Sequence, residues 1–312
     1  MSRSVRYLVT LLAAIALAAS ACAEEQPAQK TEPSAADGGF PVTVEAANGR
    51  VEIAVRPEGI VSLSATATEM LFAIGAGDQV TAVDDNSNYP SEAPTTELSA
   101  YEPNVEAIAG YDPDLVVISD DIGDLVASLE ALEIPVIVQP AAVTLDDTYE
   151  QIDELGDATG KSEEAEALAG GIRSDLEAAI ASIPDLDNPP TYYHELDPTF
   201  FTATSVTFIG EVYSLLGLRN IADPADKDGS GYPQLSAEYI VKADPDLIFL
   251  ADTKCCGESA DSVAQRPGWD RIEAVQGGSV VELDDDIASR WGPRIVEFLE
   301  VVASAVQGLA AA

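Results

Sequence analysis

Few residues in this 312-residue chain are equipped for chemistry, and they are scattered. There is one histidine, His194, and one adjacent cysteine pair, Cys255 and Cys256. His194 lies in "TYYHEL", the end of a predicted strand. There an imidazole either makes a structural hydrogen bond or contacts a bound metal complex, as axial ligand or neighbour. Adjacent cysteines either close a vicinal disulfide knuckle or, under reducing conditions, offer thiolates to a soft metal. Catalytic signatures are missing: the chain has no G-x-S-x-G, no H-E-x-x-H and no Gly-rich phosphate loop. A free zinc or manganese site needs several His and carboxylate ligands, and one histidine argues against it. A secreted hydrolase stays as the alternative class that these absences weigh against.

The elements that would position these residues repeat. "DPDLVVISDD" begins at Asp112 and "DPDLIFLADT" at Asp244. Glu106 stands six residues before the first copy and Glu238 six before the second. The match therefore takes in a helix-like run as well as a strand. Around it, "GIVSLS", "QVTAVD", "DLVVIS" and "PVIVQ" read as apolar strands separated by "ATATEMLFAIGAG", "PNVEAIAGY" and "IGDLVASLEAL" as helices. "TYYHEL", "DLIFLAD" and "SVVELD" continue the grammar with "SVTFIGEVYSLLGL", "AEYIVKA" and "GPRIVEFLEVVASAVQGL". Strand and helix in alternation, with continuous apolar strands, predict parallel sheets covered on both faces. "VTVEAANGRVEIAV" predicts a hairpin turning at Asn48–Gly49. Between the halves, Ala165, Leu168, Ile172, Leu176 and Ile180 form one helical stripe. A helix of roughly 20 residues spans about 30 Å and would join the lobes once, as a strut. Gly170 and Gly171 permit a bend in it.

Formal charge is −40, spread along the chain. Such a surface repels nucleic acid and anionic headgroups. Arg3, Arg6, the apolar "YLVTLLAAIALAA" and "SAC" predict an export signal ending in lipidation of Cys22, the alternative being an ordinary secretory signal cleaved nearby. The polar "AEEQPAQKTEPSAADGG" predicts a disordered tether. The expected division is 1–22 signal peptide, 23–40 tether, 41–143 N-terminal α/β lobe, 144–183 connecting helix and 184–312 C-terminal α/β lobe.

In order, "RPEGIVSLSATATEMLFAIGAGDQVTAVDDNSNYP", "PNVEAIAGYDPDLVVIS", "TFIGEVYSLLGLRNIAD", "PQLSAEYIVKADPDLIFLAD" and "RPGWDRIEAVQGGSVVELD" resemble the helix-linked substrate-binding proteins of ABC importers. That class carries ferric siderophores, cobalamin and haem, and the resemblance spans residues 56–308. It implies two Rossmann-like lobes with mostly parallel sheets, one long connecting helix and a cleft between the lobes. It also implies binding without catalysis, no cofactor of the protein's own, and a monomer. The implied partners are a permease with its ATPase and a small metal complex; contact with the membrane would be only through the lipid on Cys22. The family docks by one exposed Glu from each lobe. The matching positions are Glu106 and Glu238, the pair that the internal repeat singles out.

In open α/β sheets ligands sit beyond the carboxyl ends of the strands. The residues there are Ser64–Thr66, Asn86, Asn88, Tyr89, Tyr101, Asp120, Asp121, Glu195, Phe200, Phe201, Tyr232, Lys254, Arg290 and Trp291, with His194 at its strand end. Tyr89, Tyr101, Tyr232 and Trp291 suit a flat or chelated organic ligand, or anchor their own loops. Arg290 either pairs with a ligand anion or with Asp284–Asp286. Lys254 and Arg290 are the few cations among many carboxylates. That balance fits cobalamin, or a neutral or cationic iron chelate, better than an anionic one. Haem is the alternative that His194, a Tyr and Arg290 would permit.

Overall fold

The computed structural model describes residues 39–183 and 188–311. Cys22 and the signal segment lie outside the described residues. The strands are β1 (Val42–Ala46), β2 (Gly49–Ile53), β3 (Ile60–Leu63), β4 (Val80–Val83), β5 (Leu115–Ile118), β6 (Val136–Val138), β7 (Thr191–Glu195), β8 (Arg219–Asn220), β9 (Leu247–Leu250) and β10 (Val280–Glu282). Helices α1 (Ala65–Ala73), α2 (Val105–Ala109), α3 (Leu125–Glu130), α4 (Leu145–Thr159), α5 (Ser162–Ala181) and α6 (Phe208–Leu215) come first. Then follow α7 (Ala237–Ala243), α8 (Thr253–Cys256), α9 (Ala260–Ala264), α10 (Glu273–Gly277), α11 (Asp285–Ser289) and α12 (Ile295–Ala311).

The two large sheets are parallel, in the orders β4-β3-β5-β6 and β8-β7-β9-β10. The orders are the same once β7–β10 are matched to β3–β6. The sequence repeat is the clamp that makes this so. In each D-P-D the first Asp takes a left-handed backbone, Asp112 at φ 55° and Asp244 at φ 49°. The following proline disfavours the right-handed helical region there, and Asp tolerates the left-handed one. The second Asp then turns back onto the start of the neighbouring strand. Asp114 Oδ2 accepts from Glu58 N (2.9 Å) and Gly59 N (3.0 Å), and Asp246 Oδ2 accepts from Thr191 N (2.6 Å) and Oγ1 (2.7 Å).

The hairpin forms one residue off the expected turn. Ala46 pairs with Gly49, which leaves Ala47 and Asn48 at the tip. Asn48 is spent on the sheet: its Nδ2 donates to Val136 O (2.9 Å) and its Oδ1 accepts from Val138 N (3.1 Å). The hairpin tip thus covers the free edge of β6, where unpaired backbone would invite association.

The segment expected as one connecting helix holds two. Thr144 and Asp147 form a capping box that starts α4, and Gly160 at φ 72° ends it. The 20-residue α5 then runs unbroken through Gly170 and Gly171. It buries Ala165, Ala169, Ile172 and Leu176, while Leu168 and Ile180 of the expected stripe are half-buried. It packs on α4 and α12. One apolar cluster consequently runs from Met70 and Leu71 of α1, through Leu155 and Ile172, to Phe298 and Val302 of α12. Two further clusters lie on the outer faces of the sheets, around Ile108 and Val116 in one lobe and around Ile240 and Trp269 in the other.

Candidate ligand cleft

The carboxyl ends of β3, β4 and β5 open onto a cavity of about 330 Å³. Ser64, Ala65 and Thr66 follow β3, Asp84, Asn86 and Tyr101 follow β4, and Ser119, Asp120 and Ile122 follow β5. The opposite wall is Asp286, Ser289, Arg290 and Trp291, after β10. The Ser64 Oγ is engaged in capping α1, accepting from Ala67 N (3.2 Å). Asp84 is buried, and burial pushes its carboxyl above the ordinary range despite a hydrogen bond from Ser87.

The two expected cations are not free. Arg290 Nη1 donates to Glu69 Oε1 (2.8 Å) and Asn88 Oδ1 (2.9 Å); its Nη2 donates to Asn86 O (3.0 Å) and Asp286 Oδ1 (2.9 Å). The partner anticipated among Asp284–Asp286 is therefore present, together with one, Glu69, that the sequence reading did not name. Lys254 Nζ is held by Asp284 (2.6 Å) and Asp286 (2.9 Å). Burial alone would raise the Asp286 carboxyl, but Lys254, Arg290 and Asn88 outweigh it and hold the group below its usual range. Asp285, between them, accepts from Thr253 N (2.9 Å), Lys254 N (3.0 Å) and Cys255 N (2.9 Å), which fixes the one-turn α8. Cys255 and Cys256 end that turn, exposed and joined as a vicinal disulfide.

Of the aromatics, Tyr101 lines the cavity and is 74% exposed. Trp291 lines it with its ring, while its Nε1 donates across to Gln151 Oε1 of α4 (2.8 Å). Tyr89 and Tyr232 are exposed on strand-end loops, and the Arg294 guanidinium sits 4.1 Å from the Tyr89 ring centre. Ile122, Val143, Phe201 and Val206 are exposed on loops that follow strand ends, and Ile122 lines the cavity.

Three expected contacts are placed elsewhere. His194 is fully buried, inside β7 and not after it. Its Nδ1 lies 2.8 Å from Tyr213 Oη, its ring meets Phe298 edge-on, and burial lowers its pKa to about 3. Side chains alternate along a strand, and His194 falls on the inward side with Tyr192. Phe200 stacks on Trp269 at 5.8 Å and belongs to the outer core of its lobe. Asp121 accepts from Val126 N (2.9 Å) and so secures the start of α3, leaving Asp120 to face the cavity.

Beneath the ends of β7 and β9 lies a buried acid cluster. Glu195 takes both Arg266 terminal nitrogens (2.7 and 2.5 Å), and Glu258 takes one of them as well (2.7 Å). Asp252 beside them is fully buried with neither carboxylate oxygen partnered among the described residues. Burial first, then the Glu195 and Glu258 charges, push it up to about 7.

Glu106 and Glu238 occupy equivalent places, each the second residue of its helix, after the caps Asn104 and Ser236. Both are exposed, and among the described residues neither carboxylate has an ion-pair partner.

Residues 60–287, from β3 into α11, match the periplasmic binding protein family. The chain belongs to that family. The binding protein is 32% identical, over 96% of its length and 96% of the relative's, to the uncharacterized ABC transporter substrate-binding lipoprotein YvrC of Bacillus subtilis strain 168. It is also 32% identical, over 96% of its length and 82% of the relative's, to a cobalamin-binding protein of Halobacterium salinarum. The crystal structure of the periplasmic vitamin B12 binding protein BtuF of Vibrio cholerae superposes with a TM-score of 0.69 at 26% identity, covering 80% of this chain and 96% of that one. The binding protein is thus a helix-linked substrate-binding component of an ABC importer, built to capture and release a ligand.

Proposed function

We propose that this protein captures a cobalamin-type corrinoid outside the cell and delivers it to an ABC permease and its ATPase. The observation that carries the choice is the charge of the cavity. Asp84, Asp120 and Asp286 line it, and its cation Arg290 is bonded to carboxylates on both sides. A site of that sign favours a neutral or cationic chelate and repels a carboxylate-rich one. Tyr101 and Trp291 offer flat apolar area to a macrocycle. The cobalamin-binding relative supports the same reading. A neutral or cationic ferric siderophore satisfies the same electrostatics and is the second ligand to test. Haem fits less well: His194 is in the core, and the guanidinium that lines the cavity among the described residues, Arg290, is already bonded to carboxylates.

At the N-terminus the reading includes export and lipidation at Cys22, consistent with the lipoprotein among its relatives. Glu106 and Glu238 are the docking acids, one on each lobe, placed to meet cationic patches on the permease. Lys254 and the disulfide turn beside it serve as the outer wall, with Tyr89 and Tyr232 as rim contacts. Thermal-shift and calorimetric titration with cyanocobalamin, a ferric hydroxamate and haemin tests the ligand. Cyanocobalamin is expected to raise Tm by mass action, with micromolar or tighter affinity. Binding of haemin alone would overturn the reading.

A further inference from the structure

One buried carboxylate links the two walls of the cleft. Glu69 sits in α1, inside the apolar run Ala67-Thr68-Glu69-Met70-Leu71, and its side chain is 1% exposed. A carboxylate there must be fully paired to be tolerated. Its partners come from the segment leading into α12: Arg290 Nη1 reaches Oε1 at 2.8 Å, Arg294 Nη2 reaches the same oxygen at 2.5 Å, and Arg294 Nε reaches Oε2 at 2.9 Å. Two guanidinium groups that would otherwise repel each other are thus held together by one acid from the opposite lobe. Among the described residues, Arg290 is the sole cation lining the cavity, and most of its donors are spent on Glu69, Asp286, Asn88 and Asn86. Arg294 in turn lies under the Tyr89 ring, 4.1 Å from its centre, so the same acid also steadies the rim. The four charged groups Glu69, Asp286, Arg290 and Arg294 sum to zero.

From this geometry we infer that Glu69 is the specificity-determining residue of the cleft: by occupying both guanidinium groups it denies the ligand a cation, and anionic chelates are refused. The inference rests on the reading of this cavity as the ligand site. Glu69 touches no ligand; it is a positioning residue that sets the charge of the wall through Arg290. Removing its charge leaves the four-group cluster at +1, beside the cavity.

The test uses the purified full chain and three probes: cyanocobalamin (neutral), ferric citrate (anionic) and haemin (two carboxylates). In Glu69→Gln, affinity for ferric citrate and haemin is expected to rise at least about tenfold over the unmodified protein, with cyanocobalamin changing less. The gain should shrink as salt screens the freed charge. The double variant Glu69→Gln/Arg294→Gln restores neutrality and should return the preference to its original order, an outcome that loss of packing alone does not produce. If Glu69→Gln does not fold, Glu69→Asp keeps the cluster neutral and should keep the original preference; a folded Glu69→Asp that gains affinity for the anionic probes as strongly as expected of Glu69→Gln overturns the inference. A folded variant with unchanged affinity for both anionic probes overturns the inference. Failure of the unmodified protein to bind cyanocobalamin would instead count against the corrinoid reading, and leaves the change in charge preference measurable with the anionic probes.

Discussion

Asp252 and His194 are both buried beside the elements that carry the cleft, and they titrate in opposite senses. Asp252 binds its proton more tightly when folded, about 7 against roughly 3.9 for a free Asp. Its contribution to stability therefore falls as pH rises from about 4 to 7, by up to about 1.4 kcal/mol per pH unit. His194 binds its proton less tightly when folded, about 3 against 6.5. Its contribution is present above 6.5 and is lost as pH falls toward 3. In the unmodified protein the two slopes oppose each other between about pH 4 and 6.5. Asp252→Asn removes one of them, so the Tm of that variant minus the Tm of the parent should grow as pH is raised from 4 to 7. A constant difference would show that Asp252 ionises normally. This acid was invisible in the sequence because "LADTKCC" gives no sign that its Asp points inward under the turn. Glu69 did leave a sign, a lone charge in the apolar run "ATATEMLFAIG", and periodicity alone passed over it. Arg290 and Trp291 were reachable because a rule about strand ends, independent of side-chain packing, points at them.

At the level of elements, glycines in the two central helices separate close packing from mere permissiveness. A Cβ on Gly156 would collide with the Ala165 Cβ, at the crossing of α4 and α5. Gly170 and Gly171 look onto open space. Gly156→Ala is expected to lower stability by about 1–3 kcal/mol through overpacking. Gly170→Ala, in contrast, should raise it by roughly 0.5–1 kcal/mol through helix propensity. Chemical denaturation of the two variants checks both signs, and a stabilised Gly156→Ala would mean the helices do not cross so closely. The same contrast explains what the sequence revealed. β3, β5 and β9 were legible because they are buried and largely apolar runs, two of them introduced by D-P-D. β8 is two residues, Arg219–Asn220, defined only by its pairing with β7, and no local pattern announces it. The turn α8 exists because Asp285, some thirty residues later, collects its amide groups. α4 was absorbed into the connector because acidic runs on either side of Gly160 blur the boundary that its left-handed backbone makes.

Across the whole molecule the charge of −40 makes most surface acids interchangeable, yet Glu106 and Glu238 are set apart by equivalent placement on the two lobes. Replacing both, Glu106→Lys with Glu238→Lys, should leave ligand affinity within about twofold and abolish ligand-stimulated ATP hydrolysis by the permease complex in proteoliposomes. Each reversal costs its helix only about 0.3–1 kcal/mol at the N-terminal turn, so the fold should survive. Undiminished stimulation would rule out these acids as the docking pair. The continuous apolar cluster from α1 to α12 has another implication. Although the two halves repeat one plan, neither is self-sufficient: severed on either side of α5, each would present a greasy flank to water. The halves are joined along one shared apolar flank, and a chimera exchanging one half for a relative's would have to carry the matching flank with it.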